Sequence, residues 1–203
     1  MNNTNNNKIL LIVGAIVVVL IFWMLLGSRG GYGGMMFGGN NSNYNQGIIS
    51  MNQIDRHFIE QMIPHHDGAI AMAELALEKS KKPEIRTLAQ TIITAQKAEI
   101  NDMTLWYKNW FGKNVPKVSG SMNEGMMGGN GMHMGVTEDV KTLENAVDFD
   151  RAFVEQMIPH HQLAIMMAQM MESGTERPEM QELAKNIIKS QSEEIKLMQG
   201  WYK

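Results

Sequence analysis

The stretch EQMIPHH runs from Glu60 to His66 and recurs, letter for letter, from Glu155 to His161. The sequence around it repeats as well. Asp55 to Lys108 aligns with Asp150 to Lys203 without a gap, and about half of the positions are identical, among them DR, F, AI, MA, PE, LA, II, Q, EI, M and WYK. Self-similarity of this kind marks an internal duplication. Within each copy, two amphipathic stretches flank a break, KSKKPE in the first and SGTERPE in the second, where Pro83 and Pro178 suit the first turn of a following helix. Each copy therefore reads as a helical hairpin. One hairpin cannot bury its apolar stripe alone, whereas two packed together form a four-helix bundle with a pseudo-twofold axis.

At about 100° per residue, Phe58, Ile59, Met62, Ala69, Ile70, Ala73 and Leu77 mark one stripe of the first helix. His66 lies near the centre of this stripe and His65 at its edge, close in angle to Met72. Ile85, Leu88, Ala89, Ile92, Ile100, Met103 and Trp106 define the stripe of the second helix, and Gln96 and Glu99 fall inside it. The second copy repeats the pattern with Met157, His160, His161 and Met167, then Gln191, Glu194 and Met198. Burying a lone ionised carboxylate costs several kcal/mol, so Glu99 and Glu194 need partners. His66 and His161, on the facing stripes, are the nearest candidates. Pro64 and Pro159 remove a backbone donor inside a helix, which predicts a kink that turns Met62, His65 and His66 toward a common centre. Two readings of the histidine pairs stand side by side: internal hydrogen bonds to the glutamates, or metal ligands, with His65 and Met72 on the rim as a ligand pair.

The chain has no cysteine and twenty methionines. Met170, Met171 and Met180 read as core filler, a role the flexible thioether suits. The methionines of the glycine-rich segments do not, because segments such as GGMMFGGN at Gly33 to Asn40 cannot form a packed core. Met122, Met126, Met127, Met132, His133 and Met134 crowd a second such segment. Thioethers are soft ligands that suit Cu(I), and imidazole suits both Cu(I) and Cu(II). The coincidence of thioethers, paired histidines and missing thiols points to copper, with silver close behind in softness. The net charge of −3 offers no footprint for nucleic acid.

Ile9 to Gly27 reads ILLIVGAIVVVLIFWMLLG, flanked by Lys8 and Arg29. Its length and apolarity predict an uncleaved transmembrane helix, a cleaved signal sequence being the alternative. Either one places everything after Arg29 on the extracytoplasmic side. The expected organisation is a cytoplasmic head over 1–8, an anchor over 9–27, a Gly/Met/Asn-rich linker over 28–50, the first hairpin over 51–112, a Gly/Met-rich linker over 113–136 and the second hairpin over 137–203.

MIPHH followed by AI and MA, then LA, II, Q, EI and a final M-x-x-W, resembles the family known as domain of unknown function 305 over both repeats. That resemblance implies a ferritin-like four-helix bundle and, for some exported members, a periplasmic copper-binding role. It carries ligand roles onto Met62, His65, His66, Met72 and Met103, and onto Met157, His160, His161, Met167 and Met198. The first copy has Asp67 and Gly68 where the second has Gln162 and Leu163, so two sites of unequal affinity are expected.

The function expected from all of this is a membrane-anchored, extracytoplasmic protein that buffers copper or exchanges it with a donor or acceptor protein, without catalysis. Two rivals remain. A ferritin-like metal oxidase would need more core carboxylates than Glu99 and Glu194, and no Glu-x-x-His pattern occurs on these helices. A purely structural or interaction module would leave the linker methionines without a role.

Overall fold

The computed structural model describes residues 42–116 and 136–201, with side chains from 53 and from 140 onward. Every regular element among the described residues is helical: α1 Ser42–Lys79, α2 Pro83–Phe111, α3 Val136–Glu144, α4 Phe149–Gly174 and α5 Pro178–Trp201. The linker methionines and His133 lie outside the described residues. Helix α1 begins within the segment expected as linker over 28–50, and α3 is a further short helix ahead of the second hairpin.

Both hairpins turn by the same local chemistry. Lys82 N–H donates to Ser80 Oγ at 3.2 Å, and Arg177 N–H donates to Thr175 Oγ1 at 3.1 Å. Pro83 then occupies the first turn of α2, where a missing N–H costs nothing. The Arg86 guanidinium caps the end of α1 by donating to the carbonyls of Leu77 and Ser80. Helix α2 stops at Gly112, whose φ of 66° is the left-handed conformation that glycine adopts without strain, and its N–H returns to Lys108 O. Helix α4 starts on Asp148, whose side chain accepts from Arg151 N–H at 3.1 Å.

The core has two parts, and each draws on all four long helices. One contains Ala69, Met72 and Ala73 of α1, Ile85 to Ile93 of α2, Phe153 and Met157 of α4, and Ile195 and Met198 of α5, with Leu143 of α3 covering it. The other contains Phe58, Ile59 and Met62 of α1, Met103 and Tyr107 of α2, Ala164, Ala168 and Met171 of α4, and Met180 to Ile187 of α5. The two repeats therefore complete each other's core, as the bundle reading requires.

Two symmetry-related ties reinforce this. Buried Asp55, at the head of the first repeat, accepts from Arg177 Nε at 2.9 Å in the turn of the second. Its counterpart Asp150 pairs with Lys82 Nζ at 3.7 Å in the turn of the first. Arg177 also stacks 4.0 Å over the Trp110 ring.

The expected single-pass membrane localisation requires correction. Among the described residues no helix is long and apolar enough to cross a membrane, because charged side chains recur along every one of them. The run Ile9 to Gly27, on which the expectation of a membrane partner rested, lies outside the described residues.

Candidate metal centre

Between the two halves of the core, the apolar stripe of every long helix is interrupted at the same level. On α1 the gap between Met62 and Ala69 holds His65 and His66; on α2 the gap between Ile93 and Met103 holds Gln96 and Glu99. On α4 His160 and His161 stand between Met157 and Ala164, and on α5 Gln191 and Glu194 stand between Ile187 and Ile195. The result is a polar belt across the waist of an otherwise apolar bundle.

Within the belt each hairpin forms its own pair. His66 Nε2 lies 2.6 Å from Glu99 Oε2, and His161 Nε2 lies 2.6 Å from Glu194 Oε2. This is the pairing expected from the sequence. An ionised carboxylate can only accept, so Nε2–H donates and a neutral ring keeps its lone pair on Nδ1. Nδ1 of His66 and Nδ1 of His161 are buried and have no hydrogen-bond partner. A carboxylate that holds the far nitrogen of an imidazole fixes its tautomer and orientation, the arrangement found behind metal-ligating histidines.

His65 and His160 meet across the pseudo-twofold axis with ring centroids 3.7 Å apart. The geometry is symmetric: His65 to His66 and His160 to His161 are each 6.4 Å with an interplanar angle of 57°. His65 is not a rim residue but is only 5% exposed, and neither of its ring nitrogens has a partner. His160 is partly buried, with Nδ1 unpartnered. Burial, with a further contribution from His66 and His161, pushes the His65 imidazole down to about 3. Burial and then the neighbouring His65 push His160 well below the usual range. Both rings are thus neutral near pH 7, the form in which imidazole binds a cation.

The remaining candidates are redistributed. Met62 and Met72 stand ten residues apart on one helix, about 15 Å along its axis, and cannot share an ion. Met62 and Met103 belong to one half of the core, with Met167 packed against it, while Met72 joins Met157 and Met198 in the other. Thioethers of both repeats therefore flank the belt on each side. Met171 and Met180 are buried as expected, but Met170 is 70% exposed and is not core filler. The helices run through Pro64 and Pro159 without interruption, in place of the irregular turn expected there. The sequence reading missed Tyr107, which is buried and donates to Glu60 Oε1 at 2.5 Å. Its signal was the WYK shared by both repeats.

Among the described residues no three or more His, Cys, Asp or Glu side chains gather into a group that could hold a metal ion. Each belt carboxylate is committed to a histidine. The open donors are imidazole nitrogens with thioethers nearby, a set suited to a soft or borderline cation of low coordination number rather than to a carboxylate-rich centre.

Residues 55–202 match the family described as Domain of unknown function (DUF305). Among solved structures, CopM in the Cu(II)-bound form is similar to this chain at 48% identity and a TM-score of 0.63, covering 73% of this chain and 95% of that one. CopM in the Cu(I)-bound form gives 46% and 0.62, covering 73% and 94%. A DUF305 fragment from Deinococcus radiodurans is 30% identical with a TM-score of 0.59, covering 72% of this chain and 93% of that one. Uncharacterized protein L153 of Acanthamoeba polyphaga mimivirus is 43% identical over 49 residues, 24% of this chain, and the match spans only 32% of that protein's length.

Proposed function

The chain belongs to the DUF305 family, and from that premise we propose that it is a copper-binding protein that buffers copper or hands it on, the ion being cargo and not a catalyst. The observation that carries this reading is the set of buried, unpartnered ring nitrogens at the waist: both of His65, and Nδ1 of His66, His160 and His161. A buried polar atom left without a partner costs roughly 1–3 kcal/mol. A cation that accepts neutral nitrogen removes that cost for several atoms at once. Glu99 and Glu194 orient His66 and His161 from behind and bring negative charge close to the bound ion. The likeness to CopM in copper-bound forms supports copper as that ion.

Met62, Met103 and Met167 on one side of the belt, and Met72, Met157 and Met198 on the other, supply thioethers that favour Cu(I) over Cu(II). The linker residues Met122, Met126, Met127, Met132, His133 and Met134 form, in this reading, a separate class of softer and weaker donors. The ferritin-like oxidase reading is disfavoured by the commitment of both belt carboxylates to histidine.

The test is a titration of the apo-protein with Cu(I), Cu(II), Ag(I), Zn(II) and Fe(II), read by competition with chelators and by native mass spectrometry. Cu(I) and Ag(I) are expected to bind most tightly. Replacing His65, His66, His160 and His161 together by Ala is expected to remove the tight class while leaving the weaker linker class in place. Retention of tight Cu(I) binding by a folded quadruple variant would overturn the waist as the site.

A further inference from the structure

Five large apolar side chains are exposed among the described residues, and two of them, Met166 at 40% and Met170 at 70%, sit one turn apart on α4. Residues four apart on a helix face each other with Cβ atoms about 5–6 Å apart, as do residues three apart. Met170 therefore neighbours both Met166 and Met167, and Met167 is only partly buried. Three thioether side chains thus lie within a single turn, Met167 packed against the core at the edge of a surface where Met166 and Met170 have no core to fill.

The internal duplication shows that the fold does not require this arrangement. The equivalent positions of the first repeat are Ala71, Met72 and Leu75, so two of the three sulfurs are absent there, and Met72 is buried. The second repeat has placed additional sulfur on its outer face. The location also suits a positive charge. Met170 lies one turn before the C-terminus of α4 at Gly174, where aligned peptide dipoles attract cations, and the last turn holds no basic residue.

We propose that Met166, Met167 and Met170 form a surface site for a soft monovalent cation, Cu(I) or Ag(I), outside the histidine belt. The three neutral sulfurs satisfy the ion without deprotonation and offer little to Zn(II) or Mg(II). The site uses none of the four belt histidines and shares only Met167 with the thioethers that flank the belt.

Ag(I), which needs no reductant, is the probe. The full chain is labelled with ¹³C at the methionine methyls, assigned by single Met→Leu substitutions, and titrated in chloride-free buffer. The methyl signals of Met166, Met167 and Met170 are expected to move together. In the quadruple histidine background, the Met166→Leu/Met170→Leu variant, which conserves volume at exposed positions, is expected to lose the Met167 response and about one equivalent of bound Ag(I). The three signals should respond equally in the quadruple histidine variant, so failure of the waist reading leaves this result intact. Methyl signals that stay fixed through saturation, or an unchanged Ag(I) stoichiometry in the Leu variant, would overturn the site.

Discussion

Glu99 touches one imidazole and thereby decides how much of the waist is tolerable to the fold. Its carboxylate, 9% exposed, and the fully buried His66 ring satisfy each other at 2.6 Å. Glu99→Leu strands His66 Nε2 and is expected to destabilise the apo-protein by about 1–3 kcal/mol, the cost of an unpaired buried donor. Adding His66→Leu is expected to recover most of that loss, because two apolar groups of similar volume replace the pair. A double-mutant cycle on urea denaturation measures the coupling, and additive losses would show that the contact carries no energy. His65 makes a different prediction. Its folded value of about 3 lies below the ordinary value of 6.5, so as pH falls the unfolded chain takes up the proton first. Its contribution to stability is fully present above about pH 6.5 and is lost progressively down to about pH 3. His160 acts in the same direction. Unfolding midpoints of the apo-protein are expected to drop between pH 7 and pH 4, and to drop less in His65→Leu. The Glu–His pairs were legible in the sequence because a carboxylate inside an apolar stripe has few ways to survive. The burial of His65 was not, because helical angle places a residue at the edge of its own stripe without showing what the partner helix lays over that edge.

At the scale of elements, the prolines separate stability from function. Interior proline costs a helix roughly 3 kcal/mol relative to alanine, yet α1 and α4 each carry one immediately before the paired histidines. Pro159 is exposed, so Pro159→Ala leaves no cavity. That change is expected to raise the thermal midpoint while weakening copper binding, since restoring the Glu155 carbonyl's hydrogen bond alters the helical turn that carries His160 and His161. A rise in both quantities would mean that proline has no positioning role. Helix identities were readable from 3.6-residue spacing and from Pro83 and Pro178. Helix α3 was readable in hindsight from Val136, Val140 and Leu143, but nine residues give a weak period and it fell at the edge of a glycine-rich segment. Continuity through Pro64 was not readable, because surrounding packing holds the helix together where local propensity alone would break it.

At the scale of the molecule, the sequence announced the bundle but not the partition of its sulfurs. Assigning Met62 and Met72 to one site followed from counting within a repeat, whereas the folded chain shares each half of its core between repeats. Met170 shows the same limit from the other side: spacing does not reveal which flank of α4 faces outward. The crossed ties from Asp55 to Arg177 and from Asp150 to Lys82 carry a consequence for the chain's continuity. Each hairpin ends one wall short of a closed interior and finds that wall only in its sibling. The peptide bond between them sets their ratio and proximity rather than their shape. Produced as two separate polypeptides, the hairpins are expected to recognise one another and elute as a single particle, like halves of a broken seal.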